Sequence, residues 1–164
     1  MLIPCAAAAL TLGSSMMAFA ATGWLQEDEI WHYYDRNGDE VTSSWKKSGN
    51  DWFWLDEDGE MAVSQLVEDN DNYYYVNESG VMVRNQWRKL ENDDPQDDDE
   101  SDTVWYYFGA DGKAYKAKDS GRVNFKTIVR ADGVTKKYAF DEEGKMLYGW
   151  IDEQGERQTG DDAW

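Results

Sequence analysis

The sequence predicts an all-β chain, a solenoid of stacked β-hairpins of about 21 residues each, and three observations carry that prediction. The first is a series of glycines closing acidic or Asn-rich turns: Gly38, Gly59, Gly80, Gly112 and Gly144, spaced by 21, 21, 32 and 32 residues. The second is a set of aromatic columns in phase with them. Seven residues before the glycine stand Trp31, Trp52, Tyr73 and Trp105, with Lys137 as the exception; five before stand Tyr33, Trp54, Tyr75 and Tyr107, with Ala139 as the exception. The third is a leading column, Trp24, Trp45, Leu66 and Trp87, again spaced by 21, which Phe125 continues and Trp150 reopens.

Taken in chain order, residues 1–20 come first. Met1 to Ala20 carries no charge, and its apolar stretch ends in Ala18-Phe19-Ala20, a small-x-small site of the kind a signal peptidase reads. Thr11, Gly13, Ser14 and Ser15 interrupt it, so a spanning helix is not expected. A basic start is missing. Cleavage after Ala20 is the expectation, with no membrane insertion afterwards. It would remove Cys5, the single cysteine, and leave an exported chain with no disulfide framework.

Residues 21–164 then read as an array of about five hairpins. Runs such as Ile30-Trp31-His32-Tyr33-Tyr34 and Val104-Trp105-Tyr106-Tyr107-Phe108 are rich in strand formers. Each ends in an acidic turn whose Gly can take a left-handed backbone, and a short second strand such as Glu60-Met61-Ala62-Val63 is expected to return along it. Alternation puts the residues seven and five before Gly on one face, and those six and four before it on the other. Both faces are aromatic or apolar. A lone hairpin is marginal in water, so each is expected to bury its faces against its neighbours.

Two insertions stretch the later period. Residues 91–103 hold eight acidic side chains and Pro95, which reads as a solvated loop. Residues 117–148 form a degenerate unit, less aromatic and more basic. A new unit opens at Gly149-Trp150 just before Trp164, so the array is expected to continue in a longer protein.

Charge narrows the partner. With 16 Lys+Arg against 34 Asp+Glu, the formal net charge is -18, which opposes nucleic acid and anionic membrane surfaces. No nucleophile pattern surrounds His32, and no isolated carboxylate pair suits acid–base work, so no catalytic residue is assigned and the chain is not read as an enzyme. The acidic insertion lacks the spacing of a calcium loop, so no metal and no cofactor are expected.

At this level the chain resembles the cell-wall-binding, or choline-binding, repeat family. The resemblance rests on Gly23-Trp24, Trp31-His32-Tyr33-Tyr34-Asp35, Ser44-Trp45-Lys46-Lys47 and Asp51-Trp52-Phe53-Trp54-Leu55-Asp56 through Gly59-Glu60-Met61-Ala62. Phe108 to Lys113 and Tyr138 to Met146 are similar to the related repeats of glucan-binding proteins and clostridial toxins. The resemblance implies a non-catalytic, wall-associated module of an exported bacterial surface protein. It implies cages between consecutive hairpins that hold choline borne on a teichoic acid or polysaccharide of the envelope.

By the same resemblance, Trp24, Trp45, Trp87 and Trp150 match the family's leading Trp, and Trp31, Trp52 and Trp105 its strand Trp. Trp54, Tyr75 and Tyr107 match the ring supplied by the following unit. The first cage is expected from Trp24, Trp31 and Trp54, the second from Trp45, Trp52 and Tyr75. The third lacks its leading Trp at Leu66, and the last ones look unfit because Lys137 replaces an aromatic. The chemistry is consistent with this. A quaternary ammonium has no N–H, so aromatic faces recognise it through cation–π attraction. Two other readings stay open: a glycan-binding adhesin whose flat rings stack on sugars, and a structural spacer beside a missing domain.

Overall fold

A computed structural model describes residues 22–92, 102–118, 123–129, 132–147, 150–151 and 157–158. The leader expected over 1–20 and most of the acidic insertion lie outside the described residues. Every regular element described is a strand. There are twelve, joined in sequential pairs: β1 (Gly23–Glu27) with β2 (Ile30–Tyr34), β3 (Ser44–Ser48) with β4 (Asp51–Leu55), β5 (Gln65–Asp69) with β6 (Asn72–Val76), β7 (Gln86–Glu91) with β8 (Thr103–Phe108), β9 (Asn124–Val129) with β10 (Thr135–Phe140), and β11 (Trp150–Ile151) with β12 (Arg157–Gln158). All pairs are antiparallel. The chain divides into two compact units. One holds β1 to β4 with residues 78–81; the other holds 64–77 and the chain from Met82 onward.

The hairpins are all-β as expected, but they close one turn earlier than the sequence reading placed them. The leading column lies on the first strand of each hairpin, and the column five before Gly lies directly opposite. The pairs are Trp24 with Tyr33, Trp45 with Trp54, Leu66 with Tyr75, Trp87 with Tyr107, and Phe125 with Ala139. Two-residue turns join β1 to β2, β3 to β4 and β5 to β6. Asp28-Glu29 and Asn70-Asp71 take positive φ at both positions, the geometry whose twist matches paired strands.

The Asp-x-x-Gly turns do something else. At each, the Gly N–H returns to the Asp carbonyl, as Gly59 to Asp56 at 3.2 Å and Gly144 to Asp141 at 3.2 Å. The following segment runs back antiparallel for only one bridge, such as Leu55 with Met61. It stops there because its next donors alternate between two hairpins. Ala62 N–H donates to Trp54 of its own hairpin at 3.0 Å, and Met61 N–H to the Trp31 carbonyl of the preceding one at 2.7 Å. In the second unit Ala114 and Met146 repeat this toward Tyr73 and Trp105, each at 2.8 Å.

Burial separates the two faces of the aromatic strand. The residues four before Gly, Leu55, Val76, Phe108 and Phe140, are fully buried, and Phe53, Tyr74 and Tyr106, six before, nearly so. The aromatic members of the columns seven and five before Gly are only half-buried, whereas Lys137 is exposed and Ala139 buried. One face is core and the other is available. The turn glycines are held by this packing as well as by φ. A Cβ at Gly80 (φ +75°) would lie 2.8 Å from the Met61 methyl, and one at Gly112 (φ +85°) would run into the Met82 sulfur.

Candidate aromatic binding corners

In the first unit, β1 and β2 meet β3 and β4 at an aromatic corner. The Trp24 ring packs edge-on against its cross-strand partner Tyr33 (5.3 Å, 75°) and against Phe53 of the next hairpin (5.3 Å, 70°). Trp24, Trp31, Phe53, Met61 and Ser48 line a narrow cleft of about 10 Å³, roughly the space of one water. Among the described residues, no charged side chain lines it. The Met61 thioether arrives because its backbone N–H is bonded to Trp31.

Trp54 is not in that cleft. It stands against Trp45 across its own hairpin at 5.2 Å. Trp45 and Trp52 belong to the first unit and Tyr75 to the second.

The second unit repeats the corner in register. Trp87 is enclosed by Trp105 (6.3 Å), Tyr107 (5.1 Å), Tyr138 (4.8 Å) and Phe140 (5.9 Å). Met146 is tied to the Trp105 carbonyl as Met61 is to that of Trp31. Trp87, Trp105, Tyr138 and Met146 therefore hold the positions of Trp24, Trp31, Phe53 and Met61. Lys137 does not interrupt this corner. Each corner takes its two tryptophans from one hairpin, and its third ring from the position six before Gly in the next. The column containing Lys137 would serve a later corner.

Sequence reasoning missed Phe53, Tyr138, Met61 and Met146. A signal for the last two was present: Met61, Met82 and Met146 each stand two residues after a turn Gly.

Several tyrosines are already engaged by the chain's own cations. Lys46 Nζ lies 5.2 Å from the Tyr33 ring and the Arg88 guanidinium 5.8 Å from that of Tyr75; each cation directly follows a leading Trp. Lys116 lies 5.3 Å from the Tyr73 ring and Lys126 5.1 Å from that of Tyr115. These internal cation–π contacts staple successive hairpins and compete for the faces an external cation would use. Tyr107 packs between Trp87 and Tyr115, and burial raises its phenol pKa, with Tyr115 adding to the effect. His32 Nδ1 is 2.7 Å from Glu40 Oε1, so its ring is held by a neighbouring carboxylate.

The turn carboxylates differ in one respect that pH can read. At Asp35 the backbone N–H groups of Asp39 and Asn37 hold the carboxyl below its usual range. At Asp141 the Lys145 N–H bond is also present, at 2.7 Å, but burial outweighs it and pushes the pKa up to about 6. A folded pKa above the unfolded value means that folding takes up a proton between about pH 4 and 6. Stability from this group is present below that window and is lost as pH rises through it. Asp141→Asn keeps an acceptor for the turn. It is expected to flatten the fall in melting temperature between pH 4 and 7 relative to the parent; an unchanged slope would refute the assignment.

Comparisons with known proteins add the following. A family model described as a choline-binding repeat matches residues 41–87, and one described as a putative cell wall binding repeat matches 22–39 and 101–114. No curated protein matches the chain. Among solved structures, the chain is similar to the choline binding domain of Spr1274 from Streptococcus pneumoniae, at 27% identity and a TM-score of 0.43, covering 58% of this chain and 95% of that one. It is similar to a truncated alternansucrase from Leuconostoc mesenteroides, at 21% identity and a TM-score of 0.54, covering 77% of this chain and 10% of that one. It is also similar to the modular Cpl-1 endolysin, at 19% identity and a TM-score of 0.42, over 92% of this chain and 43% of that one. The chain thus spans about a tenth of the first of these enzymes and less than half of the second. The family matches cover four of the five turn glycines, Gly38, Gly59, Gly80 and Gly112, and the tryptophans of the first two hairpins, so residues 22–39, 41–87 and 101–114 carry choline-binding, or cell-wall-binding, repeats.

Proposed function

We propose that this chain is a non-catalytic wall-binding module of a bacterial surface protein, a solenoid of hairpins that takes choline groups of an envelope polymer in its aromatic corners. The observation that carries this reading is the corner of Trp24, Trp31, Phe53 and Met61: three rings and a polarizable thioether from two hairpins, with no charged side chain among the described residues of the lining. With Ser48 the one polar side chain among the described lining residues, such a surface offers little to a ligand that needs hydrogen bonds. It suits a cation that has none to give. The second corner, at Trp87, Trp105, Tyr138 and Met146, supplies a further site on the same chain. The alternating bonds of Met61 and Ala62 support the stacked arrangement within the first unit, and those of Ala114 and Met146 support it within the second.

The corner at Trp24 is narrow, so a trimethylammonium group must part the rings to enter. Each desolvated ring then contributes up to ~2 kcal/mol, part of which is spent on that opening. Affinity per corner is expected near ~1 mM, and useful anchoring requires several corners engaging one polymer. The net charge of -18 raises the local concentration of a cation and repels the phosphates of the polymer backbone. Titration of the chain with choline, followed by tryptophan fluorescence, is expected to give a saturable change that equal NaCl does not reproduce. A flat trace would remove choline as the ligand.

A further inference from the structure

The second unit contains a position where the corner is built differently. Register places Leu66 where Trp24 and Trp87 stand, Tyr73 where Trp31 and Trp105 stand, and Ala114 where Met61 and Met146 stand. Each replacement is smaller. The cleft of about 10 Å³ beside Trp24 becomes, beside Leu66, a groove of about 640 Å³. That is the size of a ligand pocket, and larger than one ammonium headgroup needs. Leu66 stays 37% exposed at its floor.

The walls of the groove differ as much as its volume. Lys89 and Lys145 contribute only donors, Glu91 and Glu143 only acceptors, and Gln65 and Asn92 both. Lys145 Nζ already donates to Asn92 Oδ1 at 3.2 Å, which ties the wall after β10 to the end of β7. The ionised groups cancel. A quaternary ammonium would desolvate these polar groups and bond to none of them, an arrangement that costs affinity. An anion would meet both glutamates and a cation both lysines. A neutral polyhydroxylated ligand meets neither objection. It donates and accepts at every hydroxyl, and it lays its C–H faces on Leu66 and Leu90.

We propose that this groove is a saccharide site, so that one chain holds two chemically distinct binding positions, aromatic corners for quaternary ammonium and the Leu66 groove for a short neutral oligosaccharide. The proposal does not depend on the choline reading, and its test uses a different readout. The full chain is to be titrated with a glucose tetramer and with an N-acetylglucosamine tetramer by calorimetry and ligand-observed NMR. Saturable binding of at least one is expected. Leu66→Trp, which refills the groove with the side chain found at the other leading positions, is expected to weaken it by at least tenfold and to leave the choline response of the Trp24 corner unchanged. Gln65→Ala and Glu143→Gln alter exposed side chains outside the core, and each is expected to weaken saccharide binding several-fold in a chain of unchanged melting temperature. The absence of binding by both oligosaccharides would overturn the proposal. So would binding that survives Leu66→Trp together with both of these variants.

Discussion

Replacing Trp31 by Ala is expected to weaken choline binding at the first corner by about 30-fold, the equivalent of ~2 kcal/mol for one desolvated ring. The fold should survive the change. Trp31 is half-buried on the available face of β2, and what ties it to the next hairpin is its backbone carbonyl, which Ala retains for the Met61 N–H. Calorimetric titration with choline should therefore lose one class of site and keep the one at Trp87. Circular dichroism should show a folded chain. Unchanged stoichiometry and affinity would sink the corner as a site, and unfolding of the variant would show Trp31 to be a packing residue instead.

The opposite outcome is expected at Phe108. Its ring is fully buried, 6.2 Å from those of Tyr75 and Tyr106, and its strand continues through the bridge to Ala114. Phe108→Ala should cost about 3–5 kcal/mol, through lost transfer energy and the cavity left behind. Against a total of roughly 5–15 kcal/mol for an ordinary domain, that is enough to bring the second unit near unfolding at room temperature. Val129→Ala, at a side chain 66% exposed, should stay within about 0.5 kcal/mol. Chemical denaturation of the two variants reads the contrast directly. Equal midpoints would mean that the column four before Gly does not carry the core.

These two expectations mark what was legible in the sequence. The phase of the repeat was, because the aromatic columns stand at fixed offsets before the turn glycines even where the period stretches from 21 to 32 residues. The division of the later aromatic strands into two faces was as well, since alternation is local; Leu55, Val76, Phe108 and Phe140 follow it, while Tyr34 of the first hairpin stays half-buried. The partner strand was not. The Asp-x-x-Gly turn is the stronger sequence signal, whereas the turns that close the hairpins are pairs such as Asp28-Glu29 and Asn70-Asp71. Their positive φ shows only in the fold. The membership of the corners was hidden for a related reason. Whether Phe53 or Trp54 faces Trp24 depends on how one hairpin is rotated on the next, which no spacing within a strand encodes. Lys137 misled because it was judged against its own hairpin, when the ring that completes the Trp87 corner is its neighbour Tyr138.

The bond from Met61 N–H back to Trp31 has an implication for how such a chain is made and how it changes. The first corner cannot be finished until the polypeptide has emerged as far as Met61, so readiness for ligand trails synthesis or export by nearly two periods. A duplication of one period adds a working corner only if its neighbours carry the right halves. A deletion of one hairpin breaks the corner on each side of it and splices their remnants into a new one. The heritable segment and the working segment are thus out of step, and a recombination point between hairpins can yield a hybrid corner whose two halves were never selected together.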